Sequence, residues 1–200
     1  MKGSGRSTIG QQISEMYGLV YVSTSMLLKE EIAKKSTIGM VSAELMKDGE
    51  LIPDDQIMNI VEKRLNESDC LVHGWVLDNF PRTESQINLI RNLRLHPSLV
   101  IILHVDEKIC CERIEGRKID PENGKIYNLK KEKINDNIIE KRLLVIDQDK
   151  MEILKKRFSS WKQIQSKIES TYKDKLVKIK SDQSLDIVID EICHIIDESP

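Results

Sequence analysis

Four short apolar or β-prone runs punctuate this chain, and a helical pattern follows each of them. The runs are Leu19 to Val22, Trp75 to Leu77, Leu99 to Leu103 and Leu176 to Ile179. Strands that alternate with helices build a parallel sheet covered by helices on both faces. The unbroken apolar stretch Leu99 to Leu103 suits a strand buried on both sides. The expected fold is therefore α/β, and ligands of such sheets bind at the carboxyl ends of the strands. Three polar clusters fall at those ends: Gly3 to Thr8, the Ser23 region, and Asp78 to Arg82.

Between the strands, Ile9, Ile13 and Met16 mark a first helix that Gly18 ends. Ser23 or Thr24 can cap a second. Helical patterns over about 38–48 and 54–66 follow, the latter opening at Pro53, a favoured first-turn residue. Others lie near Ile87–Ile90, 107–115, 149–172 and 184–197. Residues 118–141 are polar, with the turn signal DPENG at 120–124. They read as a mobile, poorly packed insertion.

Length and composition set limits. Two hundred residues, 40% hydrophobic and 32% charged, fit one globular domain with a small insertion. A net charge of −2 and 4% aromatic residues argue against a nucleic-acid partner. No apolar run approaches the length of a membrane span. Cys70, Cys110, Cys111 and Cys193 form no CxxC pair, and neither a signal-like nor a presequence-like segment is visible. Reduced thiols in the cytoplasm are expected. Cys110 and Cys111 read as packing residues, and His73, His96, His104 and His194 show no metal-ligand spacing.

Two segments carry chemistry. GSGRST (Gly3 to Thr8) runs directly into a helical pattern. Glycines let backbone N–H groups close on a polyphosphate, and the helix aims its positive end at it. The alternative is a flexible, linker-like terminus. GWVLDNFPRT (Gly74 to Thr83) delivers Asp78 from a buried strand, where a carboxylate can hold a hydrated Mg²⁺. Arg82 follows a proline-fixed turn and can grip a phosphate bidentately. The alternative is a helix-capping Asp78 and an ion-paired surface Arg82.

YGLVYVSTSMLLKEEI (17–32), KDGELIPD (47–54), KRLNESDC (63–70), GWVLDNFPRTESQ (74–86) and ERIEGRKIDPENGKIYNL (112–129) occur in this order. The set resembles the adenylate kinases, within the nucleoside monophosphate kinases, over about residues 3–197. EKRLLVIDQD (140–149) is most similar to the adenylate kinase 8 subfamily, which is tandem-domain and cilium-associated. The resemblance implies a P-loop NTPase-type parallel sheet, an AMP-binding helical insertion over 23–52 and a short lid over 117–146. It implies reversible, Mg²⁺-dependent transfer of the ATP γ-phosphoryl group to AMP. Gly3, Ser4, Gly5, Arg6, Ser7 and Thr8 would cradle the ATP phosphates. Arg113 and Arg117 would clamp them, with Ile126, Tyr127 and Gln183 also on the ATP side. Thr24, Lys29, Leu51, Ile52, Asn79, Phe80, Pro81, Arg82 and Gln86 would hold AMP, and Arg157 would bridge the two substrates. The catalytic set would be Arg6, Arg82, Arg113, Arg117 and Arg157. Asp78 would hold Mg²⁺ through water, and no zinc is expected in the lid. The partners would be small nucleotides, with neither nucleic acid nor membrane, for a monomer or part of a larger chain.

Several positions depart from the family pattern. Arg6 stands for lysine, Ser7 and Asn79 for glycine, Met26 for aspartate, and Lys29 and Ile146 for arginine, with Arg142 as a candidate substitute for the last. The family's strand before the loop is expected to be missing, leaving two neighbouring strands with open edges. These departures open an alternative: a catalytically impaired module that serves binding or scaffolding in a larger ciliary protein.

Overall fold

The computed structural model describes residues 1–48, 50–92, 96–130 and 133–199, with the backbone alone at 47, 48 and 92. Gly49 of the KDGELIPD segment and residues 131–132 of the expected insertion lie outside the described residues.

The elements alternate as expected. Helix α1 (Arg6–Tyr17) leads to strand β1 (Val20–Ser23), and helices α2 (Thr24–Ala33), α3 (Thr37–Asp48), α4 (Asp54–Leu65) and α5 (Ser68–His73) precede β2 (Trp75–Asp78). Then come α6 (Glu84–Asn92), β3 (Val100–His104) and α7 (Glu107–Ile114). Strands β4 (Arg117–Ile119) and β5 (Ile126–Asn128), helix α8 (Asn137–Arg142) and strand β6 (Leu144–Val145) follow. The long α9 (Met151–Thr171), β7 (Leu176–Lys180) and α10 (Leu185–Glu198) close the chain. Among the described residues no helix is long and apolar enough to cross a membrane.

The main strands are parallel and lie in two pairs. Val20 to Ser23 pair with Trp75 to Asp78, and Val100 to His104 with Leu176 to Lys180. Among the described residues no strand joins the pairs. Helices cover both faces. Ile9 and Ile13 of α1 pack with Ile179 of β7 and with Val188, Ile189 and Ile192 of α10. On the opposite face Ile102 of β3 packs with Ile87 of α6 and with Ile164 and Ile168 of α9. A separate cluster joins Val22 to Leu27, Leu28, Ile57, Val61 and Leu65, anchoring α2 and α4 beside β1. Burial of each such side chain contributes about 1.5–3 kcal/mol.

Helices α2 and α3 form a tight hairpin. A Cβ at Gly39 would stand 2.1 Å from the Glu31 carbonyl oxygen, so only glycine permits this approach. Ser36 ties the turn, its hydroxyl accepting from the Gly39 N–H at 3.1 Å and donating to the Glu31 carbonyl at 3.3 Å.

Residues 117–145 correct one expectation. The insertion is organised rather than poorly packed: β4 pairs antiparallel with both β5 and β6. DPENG is its corner. The Asp120 carboxylate, with no exposed surface, accepts from Arg142 Nη2 at 2.6 Å and from the Glu122 N–H at 3.0 Å. Arg142 also pairs with Glu122. Ionic and hydrogen-bonded partners hold this polar segment, and an apolar pattern cannot reveal them.

Candidate active site

The site begins where the chain enters α1. Gly3 has φ 84°, and a Cβ there would meet the Cys110 carbonyl oxygen at 2.6 Å, so the loop lies directly on α7. Ser4 is buried and its hydroxyl donates to the Met1 carbonyl at 2.7 Å. Helix α1 starts at Arg6 with no side-chain cap at Gly5, which leaves N-terminal N–H groups for an anion.

Asp78 ends β2 opposite this loop. Ser7 donates to its Oδ2 at 2.9 Å and Tyr21 at 2.7 Å, while Arg6 forms an ion pair with Oδ1. Burial first, and then the Asp78 charge, push the Tyr21 hydroxyl up to about 12, so it remains a donor.

Four arginines line one cavity of about 1060 Å³: Arg6, Arg82, Arg117 and Arg157. Burial, followed by the charges of Arg157 and Arg6, pushes Arg82 down to about 10. Burial also lowers Arg157, against the opposing pull of Asp149. Neither guanidinium has an ion-pair partner within 4.0 Å among the described residues, and the Arg157 Nε is buried without a hydrogen bond. Arg117 Nε instead approaches Asp149 at 3.5 Å, and Lys2 Nζ meets the same carboxylate at 2.6 Å. Arg113 lies just outside the cavity and reaches the Gly3 carbonyl at 3.5 Å.

A second, smaller cavity of about 40 Å³ adjoins the first. Thr24, Leu51, Ile52, Asn79, Phe80, Arg82, Gln86 and Arg157 line it, so eight of the ten residues expected on the AMP side meet there. Asn79 accounts for one departure from the family pattern. Its φ is 69°, in the left-handed region that asparagine tolerates best after glycine. Its amide donates to the Thr24 hydroxyl at 3.3 Å and the Ser25 hydroxyl at 3.2 Å. Thr24 therefore joins the Asn79 turn and caps no helix, and Ser23 makes no side-chain cap either. Gln86 is buried between two partners: Nε2 donates to Asp54 Oδ1 at 2.7 Å, and Oε1 accepts the Arg82 N–H at 2.7 Å. The Thr83 hydroxyl donates to Asp54 Oδ2 at 2.8 Å.

Other expected residues lie apart or play different parts. Pro81 lines the larger cavity, as do Thr8 and the exposed Ile126. Lys29 is exposed and lines neither cavity. Tyr127 is buried under the Lys125 ammonium, 4.8 Å from the ring centre, and packs the insertion. Gln183 is exposed and donates to the Lys180 carbonyl at 3.3 Å. Arg142, considered as a replacement for the arginine absent at Ile146, is committed to Asp120 and Glu122 and does not reach the cavity. Sequence reasoning missed Lys2, Tyr21, Asp54 and Asp149. Asp54 had one visible signal, its place beside Pro53 at a helix start.

A family model described as "Adenylate kinase" matches residues 1–177. Among curated relatives, "Probable adenylate kinase 2, chloroplastic" of Oryza sativa subsp. japonica is 37% identical over 189 residues, 94% of this chain and 65% of its own. This chain thus spans less than two thirds of the rice protein. "Adenylate kinase, chloroplastic" of Zea mays is 35% identical over 193 residues, 96% of this chain and 87% of its own. "Adenylate kinase" of Thermosipho africanus is 32% identical over 204 residues, 97% and 95% of the two chains. On the match to the family model and on these relatives, the chain belongs to the adenylate kinase family of phosphotransferases.

Proposed function

We propose that this chain transfers the γ-phosphoryl group of ATP to AMP, reversibly. An oxygen of the AMP phosphate bonds to the γ-phosphorus as the bond to the β–γ bridging oxygen breaks, leaving two ADP. The observation that supports this best is the pair Arg82 and Arg157, two partly buried guanidiniums that form no ion pair within 4.0 Å among the described residues, at the junction of the two cavities. Buried cations are costly unless paired. A polyphosphate seated between them and α1 supplies the missing charge.

Phosphoryl transfer asks the protein for alignment and charge rather than covalent help. Gly3 to Thr8 and the start of α1 would hold the donor phosphates, with Arg6 leaving Asp78 to join them. Arg117 would bind the donor from the 117–146 lid. Arg113 would brace the loop through the Gly3 carbonyl. Arg82 would hold the acceptor phosphate and Arg157 the transferred group. Thr24, Leu51, Ile52 and Gln86 would enclose the acceptor base beneath the 23–52 insertion. The small acceptor cavity must widen to admit a nucleotide, and the α2–α3 hairpin is the element able to swing away.

The residues fit a divalent cation at Asp78. This single buried carboxylate lines the larger cavity with the Ser7 hydroxyl beside it, and Mg²⁺ keeps most of its waters and takes one or two carboxylates plus phosphate oxygens. When bound, Mg²⁺ would neutralise charge on the phosphates.

The four cysteines are free thiols, which supports a reducing compartment such as the cytoplasm. A ciliary placement rests only on the resemblance of residues 140–149. The second reading, a binding or scaffolding module of low activity, is favoured by the departures from the family pattern at Arg6, Ser7, Met26, Lys29, Asn79 and Ile146. Measuring ADP formed from ATP and AMP with Mg²⁺ decides between them. Turnover that falls at least 100-fold in Arg82→Gln supports the kinase. No turnover in the natural full-length protein, with nucleotide binding intact, overturns it.

A further inference from the structure

Strand β1 presents two different faces. Val20 and Val22 pack with Trp75 and Leu77 into the cluster of α2 and α4, so the alternate residues Tyr21, Val76 and Asp78 share the face under α1. Tyr21 stands opposite Val76, and Asp78 lies two residues further along the neighbouring strand. A long side chain is needed to cross that diagonal. The Tyr21 hydroxyl does so, donating to Asp78 Oδ2 at 2.7 Å. Helix α1 makes room for the ring. A Cβ at Gly10 would stand 2.9 Å from Tyr21 Cε2 and 3.6 Å from Val76 Cγ1. Glycine weakens a helix interior, and here it lets the ring pass beneath α1. Tyr21 itself lines neither cavity. The two oxygens of Asp78 are unequal. Oδ2 also accepts from the Ser7 hydroxyl at 2.9 Å, whereas Oδ1 is buried, makes no hydrogen bond among the described residues and meets the Arg6 guanidinium.

We propose that Tyr21 is a positioning residue for the Asp78 carboxylate, fixing its rotation so that Oδ1 is the oxygen presented to a divalent cation and its waters. The torsion that swaps the two oxygens of a carboxylate is broad and soft. The Ser7 hydroxyl swings on a single bond and pins Oδ2 weakly by itself. The Tyr21 hydroxyl is carried on a ring held against Gly10, so it pins the same oxygen firmly. Oδ1 is then released to a cation when Arg6 turns to the phosphates. Partners that orient a metal-binding group in this way are worth about 10–100-fold in metal affinity. The inference rests on the reading of Asp78 as a cation site, and the variants below separate the two.

The test uses the whole chain, Mn²⁺ as the probe, and an ATP analogue with an imido group in place of the β–γ bridging oxygen. Calorimetry gives the affinity for the analogue with Mn²⁺ and in EDTA, and the ratio of the two is the contribution of the metal. Tyr21→Phe keeps the ring and removes the hydroxyl alone. It should cut that ratio about 10-fold or more while leaving affinity in EDTA within about twofold. Gly10→Ala drives a methyl group against the ring and should cut the ratio as well. Combined with Tyr21→Phe it should add little, because both act through one hydroxyl. Asp78→Asn should abolish the ratio. If it does so while Tyr21→Phe leaves the ratio unchanged, the positioning role is overturned and the cation reading stands. If Asp78→Asn keeps the ratio, both fall. Equal losses with Mn²⁺ and in EDTA in Tyr21→Phe would mark a purely structural residue, and additive losses in the double variant would break the link to Gly10. Either result would also overturn the role.

Discussion

The guanidinium of Arg6, the first residue of α1, pairs with the buried carboxylate of Asp78, the last residue of β2, and both line the larger cavity. A triphosphate in the loop must compete with Asp78 for this cation. Replacing Asp78 by Asn frees Arg6 and removes a negative charge facing the phosphates. Calorimetry in EDTA should show ATP bound about tenfold more tightly by Asp78→Asn, equivalent to ~1.4 kcal/mol. With Mg²⁺ present, turnover should fall. Weaker binding in EDTA would show that Arg6 does not serve the donor.

Arg82 sets activity against stability. Burial and two neighbouring cations hold its pKa down to about 10. A cation with a lowered folded pKa penalises the fold at every pH below that value, so at pH 7 the penalty is fully present. Arg82→Gln should therefore raise Tm by a few degrees while lowering kcat/KM by about 10²–10³. Thermal melts and initial rates on the same preparation check both signs.

Asp54 lines neither cavity but would orient the proposed acceptor side through Gln86 and Thr83. Removing its carboxylate leaves the Gln86 amide and the Thr83 hydroxyl without their acceptor. Asp54→Ala should raise KM for the monophosphate about 5–30-fold, equivalent to ~1–2 kcal/mol, with KM for ATP nearly unchanged. An equal rise in both constants would mark a general loss of fold.

The 117–145 corner should respond to acid. The Arg142 hydrogen bond holds the Asp120 carboxyl below its ordinary value. A carboxylate lowered in the folded state contributes stability above its unfolded pKa of about 3.9 and loses it as pH falls through the folded value. Hydrogen exchange in Arg117–Asn128 should accelerate, relative to the rest of the chain, below about pH 4. In Asp120→Asn it should be on the order of tenfold faster at pH 7 and lack the acid step.

The alternation of elements was legible because apolar runs and helical stripes report burial directly. The strand Trp75–Asp78 and the helix Asp54–Leu65 lie within a residue or two of their expected bounds, whereas the short helix Ser68–His73 was not expected. The convergence of Arg82, Arg117 and Arg157 was legible only through the family pattern, since spacing alone does not say that residues so far apart share a cavity. What stayed hidden was polar. The Asp120–Arg142 pair, the Asp54–Gln86 contact and the Asp149 bridge to Lys2 and Arg117 join distant positions through charge, which leaves no periodic trace. Asn79 looked like a defect until its backbone conformation was seen.

Gly39 fixes how the rim over the smaller cavity can travel. With the Glu31 carbonyl oxygen 2.1 Å from where a Cβ would stand, α2 and α3 have no room to slide on one another. The opening proposed above for the acceptor side would therefore carry both helices together as one plate. An alanine at position 39 would wedge the plate apart and misalign Thr24 and Ile52 together, a remote lesion felt wherever the acceptor sits.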